Sequence, residues 1–238
     1  YGTNGYWIMK DDNSVTDSSP NSNTWTVASG TLAPTKDNPS NVFCTFNPLT
    51  PVPSSSYYHG NTKAVDGANA HKAFYGTLGF TSGKYYWEAK AVSGQKFTIG
   101  ISDVENYINY TQVTNTNVII GESSNSYGSG DAIGWYYNTL NKNGSAVASS
   151  LHTIVTNDIM MIAADADNGK IYYGVNGTWR VANSTTFNAS NHDTTFTTGK
   201  TYTPAFSAES CGWEANFGNG YFGTTAVSSA GTNASNLG

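Results

Sequence analysis

The stretch SGKYYWEAKA, residues 82–91, alternates apolar and charged side chains along its length. Because side chains on a β-strand point to opposite faces with a period of two, the apolar ones collect on one face. They are Tyr85, Trp87, Ala89 and Ala91. In an α-helix the same positions would scatter around the circumference. The alternation therefore predicts a half-buried strand that forms one wall of a sheet core.

Further segments show the same strand character along the chain. Residues 96–102, 132–138 and 211–217 alternate apolar with small or polar side chains. Residues 158–165, DIMMIAAD, are apolar on both faces, which predicts a central strand that is covered on both sides. No segment of about eleven residues shows the 3.6-residue apolar period of a helix. The sequence therefore predicts an all-β fold, either a sandwich or a barrel.

Composition divides the chain into three parts. Residues 1–50 are dense in Pro, Asn, Ser and Asp, and we expect an irregular N-terminal arm or junction with one or two short strands. Residues 51–222 hold the predicted sandwich, and residues 223–238 have the composition of a C-terminal linker or tail. These features suggest a piece of a longer polypeptide or a processed chain. Two long polar stretches, about 103–130 and 176–200, resist strand assignment, and such loops are usually functional or disordered.

Charge and hydropathy exclude two classes of partner. The formal net charge is -5 and no basic run occurs, so we expect no nucleic-acid binding. No apolar run approaches the roughly 20 residues of a membrane-spanning helix, so we expect no membrane insertion. The 16 Tyr and 6 Trp residues fit strand faces and contact surfaces for sugars or proteins. Cys44 and Cys211 either form a disulfide or remain as two buried thiols.

The sequence offers little catalytic or metal-binding chemistry. The stretch DADNGK, residues 165–170, has hard oxygen ligands, but a twelve-residue calcium loop needs an acid where Asn176 stands. A hairpin turn explains the stretch better. No pair of histidines has metal-ligand spacing, and no nucleophile with a base and an orienting group is apparent. We therefore expect no metal, no cofactor and no catalytic residue.

Paired carboxylates on one strand are typical of glycoside hydrolases built on sandwich folds. Glu88 is followed at the same-face positions by Lys90 and Val92, and Glu214 is followed by Asn216. This pattern disfavours a glycosidase. A polysaccharide-cleaving enzyme nevertheless stays open as an alternative.

Several aromatic side chains and one arginine stand in predicted loops. Exposed aromatic and Arg side chains are typical anchors of binding surfaces. The candidate binding residues are Tyr57, Tyr58, Tyr107, Tyr110, Trp179 and Arg180. The alternative is that these side chains fold back to cover the ends of the sandwich.

The order of the strand segments resembles the successive blocks of a SPRY domain. The matching blocks are SGKYYWEAKA (82–91), FTIGIS (97–102), GSGDAIGWYYN (128–138), NDIMMIAADADNGKIYYGVNG (157–177) and YTPAFSAESCGWEANFG (202–218). The resemblance covers about residues 74–218. It implies a bent, two-sheet antiparallel β-sandwich of the SPRY or concanavalin A-like jelly-roll type with long loops. It also implies a binding module whose loops at one end contact the partner, with no cofactor or catalytic residue.

The segments before the sandwich add a second resemblance. Three of them are similar to junction segments of marine bacteriophage virion proteins: YGTNGYW (1–7), Asp17 with the SSPNSNTWTV that follows it (17–27), and DNPSNVFCTFNPLTP (37–51). This implies a non-enzymatic binding or structural module on the virion, in a fibre, spike, tail or capsid-decorating protein. The implied partners are other virion proteins, including copies of the same chain, and host-surface carbohydrate or protein. A purely structural assembly unit is a further alternative.

Overall fold

The computed structural model describes residues 2–8, 14–30, 42–49, 55–67, 69–94, 96–105, 118–122 and 131–228. The chain divides into two compact units, Tyr1–Val42 and Phe43–Gly238. The boundary lies earlier than the residue-50 boundary expected from the sequence. Phe46, which belongs to the second unit, is fully buried in its core.

The second unit contains the sixteen strands found among the described residues. In chain order they are β1 Ser55–Tyr58, β2 Lys63–Asp66, β3 Lys72–Tyr75, β4 Lys84–Val92, β5 Lys96–Asp103, β6 Ala132–Tyr136, β7 Thr139–Lys142, β8 Ser145–Ala148, β9 Ile159–Asp165, β10 Lys170–Val175, β11 Thr178–Trp179, β12 Thr194–Thr195, β13 Tyr202–Glu209, β14 Gly212–Asn216, β15 Tyr221–Phe222 and β16 Thr225–Ala226. Helical geometry is limited, among the described residues, to Val104 and Glu105. In the same part of the chain, no helix has the length and apolar character needed to cross a membrane.

Two antiparallel sheets make up most of the second unit. The eight-stranded sheet has the order β1-β2-β14-β4-β9-β10-β11, with β12 also paired to β10. The six-stranded sheet has the order β3-β13-β5-β6-β7-β8, and β15 and β16 form a separate hairpin. The all-β, two-sheet antiparallel sandwich predicted from the sequence is thereby confirmed.

Strand β4 has the predicted alternation from Trp87 onward. Tyr85, which the sequence places on the same buried face, is instead 44% exposed, because it lies at the start of the strand, where its ring stacks on Phe80. Trp87, Ala89 and Ala91 are buried in the core, whereas Glu88 and Lys90 alternate with them on the outer face. Trp87 lies opposite Ile162 of β9, which is also buried. Period-two burial on neighbouring strands therefore builds one continuous inner face.

Aromatic side chains from both sheets interdigitate in the core. Trp213 of β14 packs edge-to-face on Phe97 of β5, with ring centroids 5.1 Å apart, and on Phe206 of β13 at 5.8 Å. The indole Nε1 of Trp213 donates a hydrogen bond to the carbonyl oxygen of Ser207 at 3.2 Å. Trp213 is 0% exposed, so a single side chain joins the two sheets and satisfies its own polar atom.

The outer face of the six-stranded sheet is covered by residues 118–121, part of the first long polar stretch. Ile120 is fully buried and packs with Tyr75 and Ala205. A Cβ on Gly134 of β6 would lie 2.2 Å from the carbonyl oxygen of Ile120, so only glycine allows this close approach. Residues 106–117 and 123–130 lie outside the described residues.

The first unit is organised by one carboxylate rather than by a sheet. Asp17 accepts hydrogen bonds from the backbone N–H groups of Trp7, Ser19 and Asn23, each at 2.8 Å, and from the Ser19 hydroxyl at 2.7 Å. Desolvation acts to raise the pKa of Asp17, but these hydrogen bonds lower it to about 2. Residues 2–8 and 14–30 contain no strand.

The two cysteines are free thiols. Cys211 is buried, and Cys44 is partly buried. Burial raises the pKa of both, that of Cys211 to about 11. Both side chains therefore remain protonated and unreactive at neutral pH.

His71 is a buried titratable residue that immediately precedes β3 of the six-stranded sheet. It is 2% exposed, its Nε2 lies 3.3 Å from a carboxylate oxygen of Glu209, and its ring packs on Tyr136. Lys96 pairs with the same carboxylate at 2.5 Å. Desolvation lowers the pKa of His71 to about 4, although the charge of Glu209 acts to raise it.

We expect truncation of the aromatic link between the sheets to be costly. Trp213→Ala should lower the free energy of unfolding by about 3–5 kcal/mol, because it removes apolar burial and leaves a cavity. Tyr58→Ala, which truncates a half-exposed ring of the same sheet, should change it by about 0.5 kcal/mol or less. Urea titration followed by circular dichroism measures both. Equal losses in the two variants would contradict this packing.

We expect the burial of neutral His71 to make stability depend on pH. Between about pH 6.5 and pH 4 the unfolded chain binds the proton more readily than the folded chain, so stability should fall as the pH falls through this window. The loss should reach up to about 3 kcal/mol. His71→Gln should remove this slope, and the exposed His59→Gln should keep it. Urea midpoints at pH 7, 5.5 and 4 measure the effect. A slope that persists in His71→Gln would contradict the conclusion that burial of neutral His71 causes the pH dependence.

Candidate functional site

The outer face of the eight-stranded sheet carries a row of aromatic and small side chains. Tyr86 of β4 lies opposite Ala163 of β9, and Ala163 lies opposite Tyr172 of β10. All three positions alternate with residues that face the core. The small Ala163 between two tyrosines leaves a depression in the sheet surface.

Part of this row belongs to an apolar cluster that is separate from the main core. Met161 of β9, Tyr172 of β10 and Trp179 of β11 are buried together, with Ala163 packed against them. Gly174 of β10 lies opposite both Met161 and Trp179. Strand β9 is therefore covered on both faces, which confirms the prediction from its doubly apolar sequence.

A loop that follows β11 forms a second wall. The ring of Phe187 lies 5.0 Å from that of Tyr172 and 5.1 Å from that of Trp179, measured between centroids. The Tyr172 hydroxyl donates a hydrogen bond to the carbonyl oxygen of Ala189 at 2.7 Å. Part of the second long polar stretch thus lies against the outer face of β10 and β11.

A buried ion pair anchors this loop to the sheet. Arg180, the only arginine of the chain, donates through Nε to the carboxylate of Asp193. The Asp193 carboxylate also accepts from the backbone N–H of Tyr173 at 2.7 Å, and its side chain is 1% exposed. Desolvation raises the pKa of Asp193, while the N–H of Tyr173 and the charge of Arg180 oppose the shift. Arg180 therefore positions the loop rather than projecting into solvent.

The result is a groove of about 300 Å³, which we call the aromatic groove. Its lining consists of apolar and aromatic side chains with two charged residues, namely Lys84, Tyr85, Tyr86, Ala163, Ala164, Asp165, Tyr172, Trp179, Phe187 and Ala189. The Tyr86 and Phe187 side chains remain 50% and 46% exposed. This volume is at the lower end of the range for small-ligand sites, which are mostly apolar with a few polar groups.

The charged end of the aromatic groove is built by the β9–β10 turn. Lys84 Nζ lies 3.0 Å from Asp165 Oδ2 and 3.7 Å from Asp167 Oδ2. Asn168 donates to Asp165 at 2.9 Å, and the backbone N–H of Gly83 donates to Asp167 at 2.7 Å. Desolvation acts to raise the pKa of Asp165, but the hydrogen bonds from Asn168 and Lys84 lower it, so the carboxylate is charged.

These bonds confirm that residues 165–170 form a hairpin turn. Asp165 ends β9, and Lys170 begins β10 opposite it. Gly169 has a φ of +61°, which glycine adopts readily. Among the described residues, no group of three or more His, Cys, Asp or Glu side chains could hold a metal ion.

The candidate binding residues from the sequence have different environments. Tyr57 and Tyr58 lie on β1 rather than in a loop. Tyr57 packs on Phe74 of the core. Tyr58 is half-exposed on the edge strand at the far end of the sheet from β11. Trp179 lines the aromatic groove from β11, and Arg180 anchors the loop described above. Tyr107 and Tyr110 lie outside the described residues.

Sequence reasoning nominated Trp179 but missed the other residues of the aromatic groove, including the aromatic side chains of Tyr86, Tyr172 and Phe187. Tyr86 and Tyr172 occupy positions that alternate with the core face, where a polar side chain is the usual choice. Two aromatics at such positions, flanking a strand that is apolar on both faces, were the available signal. Phe187, a lone aromatic in a polar stretch, gave no signal of its own.

The structure also brings two carboxylates onto the same sheet face. Asn216 of β14 lies opposite Glu88 of β4, which places Glu214 diagonally across from Glu88. Glu88 accepts a hydrogen bond from the Tyr86 hydroxyl at 2.5 Å, and Glu214 pairs with Lys63 at 3.0 Å. A search for acids along single strands cannot find a pair that forms between strands.

Comparisons with solved structures identify the architecture. The SPRY domain of human HERC1 superposes with a TM-score of 0.50 at 15% sequence identity, covering 71% of this chain and 96% of that domain. The PSpry domain of TRIM65 superposes with a TM-score of 0.49 at 16% identity, covering 73% of this chain and 89% of that one. No protein-family model and no curated protein sequence matches the chain. The likeness to the HERC1 domain shows a SPRY-like sandwich fold.

We expect removal of the loop anchor to open the second wall of the aromatic groove. Arg180→Gln leaves the buried Asp193 carboxylate without its cation, so residues 180–193 should exchange amide hydrogens at least about ten-fold faster through local opening. Lys96→Gln, which removes a cation on the other sheet, should leave this segment unchanged. Hydrogen–deuterium exchange with mass spectrometry measures the rates. Unaltered protection in Arg180→Gln would show that the ion pair does not hold the loop.

Proposed function

We propose that this chain is a non-enzymatic binding module that contacts its partner through the aromatic groove. The observation that carries the proposal is the pair of half-exposed rings, Tyr86 and Phe187, on either side of the buried Trp179. When a ligand covers rings held in this way, their apolar surface is removed from water, which favours binding. Aromatic side chains that become buried when a partner binds dominate the binding energy of many interfaces.

The walls of the aromatic groove support the proposal because they are already in place. Tyr86 and Tyr172 stand on inner strands of the eight-stranded sheet, and Phe187 is held by the loop that Arg180 and Asp193 anchor. A preformed site avoids the entropy cost of ordering side chains on binding. The SPRY-like fold is compatible with this role, since the known members that the sequence resembles are binding modules.

We further propose that the module belongs to a bacteriophage particle, as part of a fibre, spike, tail or capsid-decorating protein. The resemblance of residues 1–7, 17–27 and 37–51 to virion junction segments supports this setting. The proposed partners are another virion protein, including a second copy of the chain, or a host-surface glycan or protein. A chain absent from purified particles and unable to bind host envelope would contradict it.

A polysaccharide-cleaving enzyme is the second candidate function, and the proximity of Glu88 and Glu214 on one sheet face is what favours it. Catalysis by such a pair requires one acid to remain protonated and the other to approach the sugar. Glu214 is held by Lys63, and its side chain is 13% exposed. A Cβ on Gly223 would lie 2.6 Å from Glu214, so the β15–β16 hairpin covers this carboxyl. We therefore favour binding over cleavage.

The proposal predicts that truncation of the exposed rings abolishes binding without unfolding. Phe187→Ala and Tyr86→Ala should each lower the retention of the labelled chain on whole marine bacterial cells or purified phage particles by about ten-fold or more. Tyr58→Ala and Tyr137→Ala truncate exposed tyrosines away from the aromatic groove and should bind like the parent. Melting temperatures of all four variants check the fold.

Two results would count against this proposal. Full retention of the Phe187→Ala and Tyr86→Ala variants would remove the aromatic groove from the binding surface. Release of reducing ends from host polysaccharide, lost in Glu88→Gln and Glu214→Gln, would establish the enzyme instead.

A further inference from the structure

The exposed surface of the aromatic groove consists of ring faces rather than polar atoms. Phe187 has no polar side-chain atom, and the Tyr86 hydroxyl is committed to Glu88. Burial and the neighbouring Glu88 charge raise the pKa of Tyr86, so the ring is neutral. A flat, neutral ring suits a partner that offers a flat apolar face of its own, such as the C–H face of a sugar ring.

The charged end of the aromatic groove supplies donors and acceptors side by side. Lys84 Nζ has three N–H donors and its side chain is 67% exposed, while Asp167 is 50% exposed. Asp165 and Asn168 lie next to them in the same turn. A sugar hydroxyl both donates and accepts, so adjacent hydroxyls match a cluster that contains an amine, carboxylates and an amide. An apolar side chain would leave this end unused.

The geometry of the sheet edge disfavours an extended polypeptide. Peptides that bind a sheet usually add a strand to a long exposed edge. Beside the aromatic groove the outermost strands are β11 and β12, each two residues long. The loop containing Phe187 and Ala189 also lies against β10 and β11. A backbone therefore cannot pair here over a useful length.

The charges at this end of the aromatic groove favour a neutral sugar over an anionic one. The Lys84 amine is matched by Asp165 and Asp167, and the whole chain has a net charge of -5. Lys170 lies opposite Asp165, so two lysines and two carboxylates balance at this end, and an anionic sugar would find no excess of positive charge. A neutral sugar needs no such excess.

From these observations we infer that the aromatic groove binds a neutral pyranose unit of a glycan, with its C–H face on Tyr86 or Phe187 and its hydroxyls at Lys84 and Asp167. This inference rests on the proposed function and specifies its ligand. The polypeptide alternative is an outcome of the test.

The test uses the full chain on an array of neutral and acidic bacterial polysaccharides. We expect binding to at least one neutral polysaccharide, reduced about ten-fold or more by Phe187→Ala and by Lys84→Met. Lys63→Met removes a lysine that is also paired at 3.0 Å on the same sheet, but away from the aromatic groove, and should bind like the parent. An array without a neutral polysaccharide that binds, or with acidic ones alone, overturns the inference.

A second measurement separates this inference from the proposed function. Whole marine bacterial cells are treated with periodate, which cleaves vicinal diols of sugars, or with proteinase K, before the labelled chain is added. Loss of retention after periodate alone supports the glycan. Loss after proteinase alone, with retention still sensitive to Phe187→Ala, overturns the glycan while the proposed function stands. Retention that is insensitive to Phe187→Ala overturns both.

Discussion

Strand β9 is apolar on both faces, and the need to cover both of them organises the side of the sheet that carries the candidate site. Its inner face, with Ile162, joins the core between the sheets. Its outer face, with Met161 and Ala163, has no helix to cover it among the described residues. Trp179 and Tyr172 provide the cover instead. Because Ala163 is small and the flanking aromatics are large, covering the strand also creates the aromatic groove.

Each of the two long polar stretches contributes a segment that covers one of the sheets. Residues 118–121 lie on the six-stranded sheet at a distance that only Gly134 allows, and residues 187–189 lie on the eight-stranded sheet. The second cover is held by a buried ion pair between Arg180 and Asp193, whose desolvation makes its loss costly. A sequence with few charges thus places its only arginine where it fixes the wall of the candidate site.

The SPRY-like fold by itself does not state what this chain binds. Folds host many functions, and function depends on the chemistry of a particular site. Here that chemistry is a set of ring faces beside a turn in which Lys84 is matched by Asp165 and Asp167. The proposed binding role therefore rests on side chains that the sandwich positions.

The sequence alone determined the all-β class, the burial of Trp87, the doubly covered strand at residues 158–165 and the turn that follows it. These features are local, because strand periodicity and turn dihedrals act over a few neighbouring residues. Only the tertiary structure decided that Tyr86 and Phe187 line one groove, and that Glu88 and Glu214 share one face. Such pairs depend on which strands become neighbours and in what register, and that choice is made by packing between segments far apart in the chain.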